Sequence, residues 1–135
     1  MVPKSLTEQD AVLAYASAWN RLDPELFLKL LAPNATYSSQ WVFSDWEGAA
    51  AISRYLRDKM DNIRAHGAKD LTVRVQAEVG RTTRGSPDRP CALMTQGHSE
   101  VTALVIFEVR DGQIHRFDMC IPALFAPVHS RVFPV

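Results

Sequence analysis

The chain predicts an α+β domain in which three N-terminal helices pack on a mainly antiparallel sheet, and three observations carry that reading. Apolar residues recur at helical spacing from 12 to 22 and again from 52 to 63. The period then falls to two over four later segments, and Asp111-Gly112 marks a tight hairpin between the last two of them. Helices first and a meander afterwards separate this class from βαβ folds, in which helices alternate with strands.

The first helix is predicted to start at Thr7, whose hydroxyl can cap the first amides while Asp10 reaches back in a capping box. Val12, Tyr15, Trp19 and Leu22 form its apolar stripe. Two of these are aromatics with polar tips, where plain aliphatic residues would serve packing equally well. Asp23-Pro24 reads as an N-cap followed by proline in the first helical position, opening a short helix with Leu26, Phe27, Leu30 and Leu31 on its apolar side and Pro33 as its stop.

From Ala35 a strand is predicted, with Tyr37, Ser39 and Trp41 on one face and Thr36, Ser38 and Gln40 on the other. A short hairpin or loop through Ser44-Asp45 leads to Gly48 and a third helix. Its stripe is Ile52, Tyr55, Leu56, Met60 and Ile63, its wet side holds Arg54, Arg57, Asp58 and Asp61, and Gly67 is its stop. Strands are expected over Leu71–Val79, Cys91–Gln96, Val101–Val109 and Ile114–Ile121, with a polar, locally basic loop from Gly80 to Pro90.

A two-residue Asp111-Gly112 turn sets a register in which Glu108 faces His115, Ile106 faces Phe117 and Leu104 faces Met119 on the inner side of the ribbon. Phe107, Val105 and Ala103 then share the outer side with Arg116, Asp118 and Cys120. Strand 101–109 is apolar on both faces, which helices on one side cannot cover, so a homodimer through the helix-free outer sheet face is expected. The tail from Pro122 to Val135 is too apolar for a free linker and is expected to pack on the domain, with Phe125 or Phe133 able to plug a cavity mouth or reach a partner.

Length and composition bound the function. One domain spanning 1–135, 47% hydrophobic, has a single core. Fifteen basic and fifteen acidic side chains leave no global field to draw in nucleic acid or an anionic membrane. No apolar run approaches the roughly 18 residues of a bilayer span, and the start is polar rather than signal-like, so a cytoplasmic protein is expected. Cys91 and Cys120 lack metal or redox spacing and read as buried free thiols. His66, His98, Glu100 and His129 show no ligand spacing either, and neither a metal nor a cofactor is expected. Arg81, Arg84 and Arg89 are not interleaved with aromatics, and no nucleophile elbow or phosphate-cradling loop is present.

Candidate site residues follow from these placements. Tyr15, Trp19, Tyr37, Trp41, Trp46, Tyr55 and Phe117 can wall a space for a flat, apolar ligand, with Leu104, Ile106 and Met119 completing it, or can form an ordinary aromatic core. Ser39, a small hydroxyl among large rings, either leaves room for a ligand or bonds a backbone group. Glu108 with His115 is the one carboxylate–imidazole pair on the inner face, able to act as acid and base or to end a solvated sheet edge. Asp118 reads as an ion-pair partner of Arg116, with a catalytic role only if a bulge after Val109 turns it inward.

Tyr15 and Trp19, Leu22-Asp23-Pro24-Glu25, Leu31-Ala32-Pro33-Asn34-Ala35-Thr36-Tyr37, Gly48 and Asp111-Gly112-Gln113-Ile114, in this order, resemble the nuclear transport factor 2-like superfamily, also called SnoaL-like or cystatin-like. The resemblance spans nearly the whole chain and implies a cystatin-like cone, with a strongly curved sheet and a cavity between it and the helices. The same stretch looks like the delta-5-3-ketosteroid isomerases, whose carbonyl-polarising tyrosine falls on Tyr15. Their proton-shuttling aspartate falls on Ser39 and their second oxyanion-hole acid near Leu104, so two of three reacting groups differ. A serine hydroxyl without help is too weak a base for that chemistry. The reading that results is a small-molecule binding domain for an apolar or aromatic ligand. The alternatives are an isomerase, cyclase or hydrolase using Tyr15 with His115 or Asp118, and a dimerising adaptor whose cone is filled.

Overall fold

The computed structural model describes residues 5–40, 42–66, 75–82, 89–96, 103–120 and 127–132. Helix α1 (Glu8–Arg21) starts where expected: Asp10 N–H donates to Thr7 Oγ1 and Thr7 N–H donates to the Asp10 carboxylate, each at 3.0 Å. It ends on Leu22 in the left-handed region (φ 55°), and Asp23 N–H donates to the Ala18 carbonyl at 2.9 Å. The conformational cost of a non-glycine there, about 1–2 kcal/mol, is opposed by the packing of Leu22 against the core.

Helix α2 (Glu25–Leu28) is a single turn, with Glu25 N–H donating to the Asp23 carboxylate at 3.1 Å. It is shorter than predicted. Leu31 already opens strand β1 (Leu31–Ser39), and Pro33 lies inside that strand instead of stopping a helix. Pro33 is tolerated because the ladder is irregular between Leu31 and Thr36, where a missing N–H breaks no ladder bond. Strand β2 (Ser44–Glu47) pairs antiparallel with β1, so of the hairpin and the loop that the sequence left open the chain forms the hairpin. Gly48, at φ 92°, then turns the chain into α3 (Ala49–His66), donating to the Ala35 carbonyl at 2.7 Å and accepting from Ile52 N–H at 3.1 Å. Ile52, Leu56, Met60 and Ile63 are the buried stripe of α3.

Strands β3 (Val75–Thr82), β4 (Arg89–Gln96), β5 (Ala103–Arg110), β6 (Gln113–Cys120) and β7 (Pro127–Val132) complete one seven-stranded sheet in the order β2-β1-β6-β5-β4-β3-β7. β1 runs parallel to β6 and every other pairing is antiparallel. β3 and β4 extend into the stretch expected as a loop, and part of the tail becomes β7 on the far edge, beside β3. The other edge, β2, is four residues long and carries Asp45 and Glu47, features that discourage strand addition. Trp41, Gly67, the turn around His98 and Glu100, Phe125 and Phe133 lie outside the described residues.

The predicted hairpin register needs correction. Asp111 and Gly112 do form the two-residue turn, at φ 53° and 75°, and Val109 pairs with Ile114. Glu108 then pairs with Arg116, because His115 is an extra residue in β6. Every later pair shifts: Phe107 with Phe117, Ile106 with Asp118, Val105 with Met119 and Leu104 with Cys120. Ala103, Val105 and Phe107 therefore face the helices, in one core cluster with Tyr15, Trp19, Phe27 and Phe117. Leu104 and Ile106 form a second cluster with Cys91, Leu93 and Cys120.

Candidate functional site

The interior is organised by a row of rings across four neighbouring strands. Trp46 on β2 stacks on Tyr37 on β1 at 5.0 Å, Tyr37 stacks on Phe117 on β6 at 4.5 Å, and Phe117 stacks on Phe107 on β5 at 5.7 Å. Each is a ladder pair, so the pleat alone brings the rings into line. Tyr55 on α3 covers one end of the row, 4.4 Å from Trp46 and 5.9 Å from Tyr37.

Tyr15 descends on this row from α1. Its ring meets Phe27 at 5.0 Å, Phe107 at 5.3 Å and Phe117 at 5.6 Å, with Trp19 edge-on at 6.2 Å. At the level of the ring the space implied by the resemblance is therefore filled: the rings touch one another instead of standing around an opening. The polar tips are another matter. Tyr15 Oη and Trp19 Nε1 are both buried and, among the described residues, neither has a hydrogen-bond partner. Burial pushes the Tyr15 hydroxyl well above the usual tyrosine range, with the charge repulsion of Tyr37 adding to it and the Trp19 N–H, which lies near the Tyr15 oxygen without reaching good hydrogen-bond geometry, partly opposing it. Tyr15 is thus a neutral donor at any ordinary pH.

Tyr37 Oη donates to Met119 Sδ at 3.7 Å, and burial raises its ionisation above the ordinary value as well. Ser39 is 6% exposed on the same face of β1 as Tyr37 and opposite Met119, as the predicted alternation requires. Of the residues singled out in the sequence, the structure brings Tyr15, Trp19, Tyr37, Tyr55, Phe117 and Met119 to the helix-facing side. Leu104 and Ile106 belong to the other cluster, because the extra residue in β6 reverses the facing of β5.

The acid–base candidates do not converge. His115 is the bulge residue and does not pair with Glu108, which is exposed, with Arg110 3.8 Å away. Asp118 accepts from Arg116 Nε at 3.1 Å and Nη2 at 2.9 Å, while Arg116 Nη2 also donates to Ser38 Oγ at 2.9 Å and Ser38 Oγ donates to Asp45 at 2.6 Å. Asp118, by its hydrogen bond and its charge, then Asp45 and Glu108, strengthen the hold of the Arg116 guanidinium on its proton. This network borders a cleft of about 560 Å³ beneath the β1–β2 hairpin, together with Ser39, Phe43 and Met119. The Arg116–Asp118 ion pair is the one the sequence predicted, whereas Ser38 and Asp45 were not foreseen in the network because they meet only once β2 is paired. No group of three or more histidine, cysteine, aspartate or glutamate side chains able to hold a metal occurs among the described residues. The two thiols are free and buried.

Residues 12–117 match the family model of the SnoaL-like domain. No curated protein matches the chain. Among solved structures, a SnoaL-like protein of unknown function from Burkholderia thailandensis is similar at 17% identity and a TM-score of 0.61, over 87% of this chain and 98% of that one. A candidate polyketide cyclase from Sinorhizobium meliloti is similar at 24% identity and 0.55, over 82% and 93%. An NTF2-like protein with a cystatin-like fold from Novosphingobium aromaticivorans is similar at 15% and 0.56, over 84% and 78%. At these identities the solved structures speak for the fold.

Proposed function

The chain belongs to the SnoaL-like family, with the cystatin-like α+β fold, and from that premise we propose that its interior binds a small, largely apolar molecule through a hydrogen-bond acceptor. The observation that carries this is the buried Tyr15 hydroxyl, which has no acceptor among the described residues and lies beside the equally buried Trp19 Nε1, one helical turn away on α1. Leaving such a donor dry costs about 1–3 kcal/mol. A Tyr15→Phe chain would escape that penalty with the same ring packing, so the hydroxyl is better explained by an acceptor that binds than by packing.

The described groups beside Tyr15 donate hydrogen bonds or pack; Glu108 and Asp118 are paired with Arg110 and Arg116, and His115 is the bulge residue of β6, away from the ring row. The reading is therefore binding, without a proton-transfer step. A candidate polyketide cyclase among the similar folds makes ketone-bearing polyketides a sensible ligand class to screen first. Tryptophan quenching against steroids, polyketide-like ketones and fatty acids tests it. Quenching by a ketone that Tyr15→Phe weakens supports the reading, and silence from all three classes contradicts it.

A second reading, a domain whose cone is simply filled, is favoured by the ring contacts around Tyr15. The same screen separates the two. The homodimer through the outer sheet face belongs to the proposal as well, although Leu104 and Ile106 are already buried within one chain and are not the surface it would cover.

A further inference from the structure

We propose that the ligand site is made by replacement: a flat aromatic ketone takes the place of the Phe27 ring against Tyr15, and α2 lifts as a short lid to admit it; this rests on the interior-binding reading above. Tyr15 is fully buried, and the rings of Trp19, Phe27, Phe107 and Phe117 lie against it. A ligand that reaches its hydroxyl has to displace one of these four. They are held very unequally.

Phe107 and Phe117 stand on β5 and β6, each of which has a paired strand on both sides, so moving either ring disturbs the middle of the sheet. Trp19 shares the fourteen-residue helix of Tyr15 itself. Phe27, by contrast, belongs to α2, which is outside the ladders and one turn long. A helix of four residues gains almost nothing from its own cooperativity, so the burial of Phe27 and Leu28 is what seats it. Its outer side is bare: Glu25, Leu26 and Lys29 are exposed, Leu26 at 71%.

The segment is pinned at its two ends and lightly held between them. Asp23 N–H donates to the Ala18 carbonyl at 2.9 Å on one side, and the Leu30 carbonyl accepts from Ile114 N–H at 2.8 Å on the other. The amides of Leu28, Lys29 and Leu30 donate only within the turn, to the carbonyls of Pro24, Glu25 and Phe27. Among the described residues, the side-chain tie from α2 to a neighbouring element is Glu25–Arg57, two bonds of 2.8 Å between groups that are about half exposed. Such pairs hold weakly and are screened by salt. Lifting residues 24–29 therefore gives up apolar burial and one exposed ion pair but leaves the sheet intact, and a ring that enters restores the burial. The vacated place also sets the ligand class. It asks for a ring to face Phe107 and Phe117, which lie 6.1 and 5.4 Å from Phe27, and for an acceptor to take the Tyr15 hydroxyl.

In the full chain, Leu28→Cys puts a thiol on the inward side of α2, at a position only 8% exposed. Native Cys91 and Cys120 are buried, so a maleimide reports the new thiol. Saturating 2-acetonaphthone is expected to speed its labelling at least about tenfold, because the complex holds α2 off the fold. A ligand seated anywhere else would leave that rate unchanged or lower it. Phe27→Ala, which empties the place beforehand, is expected to bind the ketone at least about tenfold more tightly, since no ring has to leave. Labelling that is unchanged or slowed overturns the inference, as does equal or weaker ketone binding by Phe27→Ala. Either result in a chain that still binds the ketone through Tyr15 sinks only the replacement, whereas a wild-type chain that binds no ketone removes the binding reading and the replacement with it.

Discussion

Tyr15 is fully buried, touches four other rings and yet has an oxygen with no partner among the described residues. Replacing it with phenylalanine keeps the ring contacts and removes the dry hydroxyl, so Tyr15→Phe is expected to leave thermal stability unchanged or raise it by up to about 1 kcal/mol. A thermal melt checks this, and a loss of 2 kcal/mol or more, as an order of magnitude, would mean that the hydroxyl is already satisfied. Alkali provides a second check. Burial holds Tyr15 and Tyr37 above the ordinary value of 10.0 in the folded chain. Below that value neither state ionises and stability is intact; above it the unfolded chain gains by releasing protons that the fold retains, so stability falls as pH rises. Tyrosinate absorbance near 295 nm from these two residues should therefore appear only with unfolding, and titration of both before the fold opens would contradict their placement.

At the scale of elements, the ring row depends on an extra residue in β6. His115 → Ala is expected to be nearly silent, within about 0.5 kcal/mol, because the side chain pairs with nothing the row needs. Deleting residue 115 should instead cost several kcal/mol, on the order of a core truncation, since a one-residue slip turns Phe117 and Met119 off the inner face. Phe117→Ala, at the junction of the row with Tyr15, should cost about 3–5 kcal/mol in urea unfolding. The bulge also explains what could be read from the sequence. Capping at Thr7, the α3 stripe, the inward Tyr37 and Ser39, and the Asp111-Gly112 turn are local patterns and were legible. Facing along β5 was not, because it is inherited through the partner strand. A signal was present nonetheless: Ile114 and Phe117, both buried and three apart, cannot share one face of a regular strand. β2 was left open between hairpin and loop and β7 was missed, because a short, mostly polar segment and a proline-flanked tail acquire strand character only by pairing with β1 and β3.

At the scale of the molecule, the helices and the sheet enclose a layer of rings whose polar tips are its unsettled chemistry, while the charged groups sit on outer networks such as Arg116–Asp118–Ser38–Asp45. No helix among the described residues is long and apolar enough to cross a membrane. The proposed homodimer is checked by light scattering at micromolar concentration, where a mass of twice 15.1 kDa is expected and a single-chain mass contradicts it. The most direct test of the account is a fluorescence titration of wild-type and Tyr15→Phe chains with 2-acetonaphthone and with its hydrocarbon counterpart, 2-ethylnaphthalene. The account predicts that the ketone loses about tenfold in affinity on Tyr15→Phe while the hydrocarbon binds both chains alike. Equal ketone affinity in the two chains would contradict it.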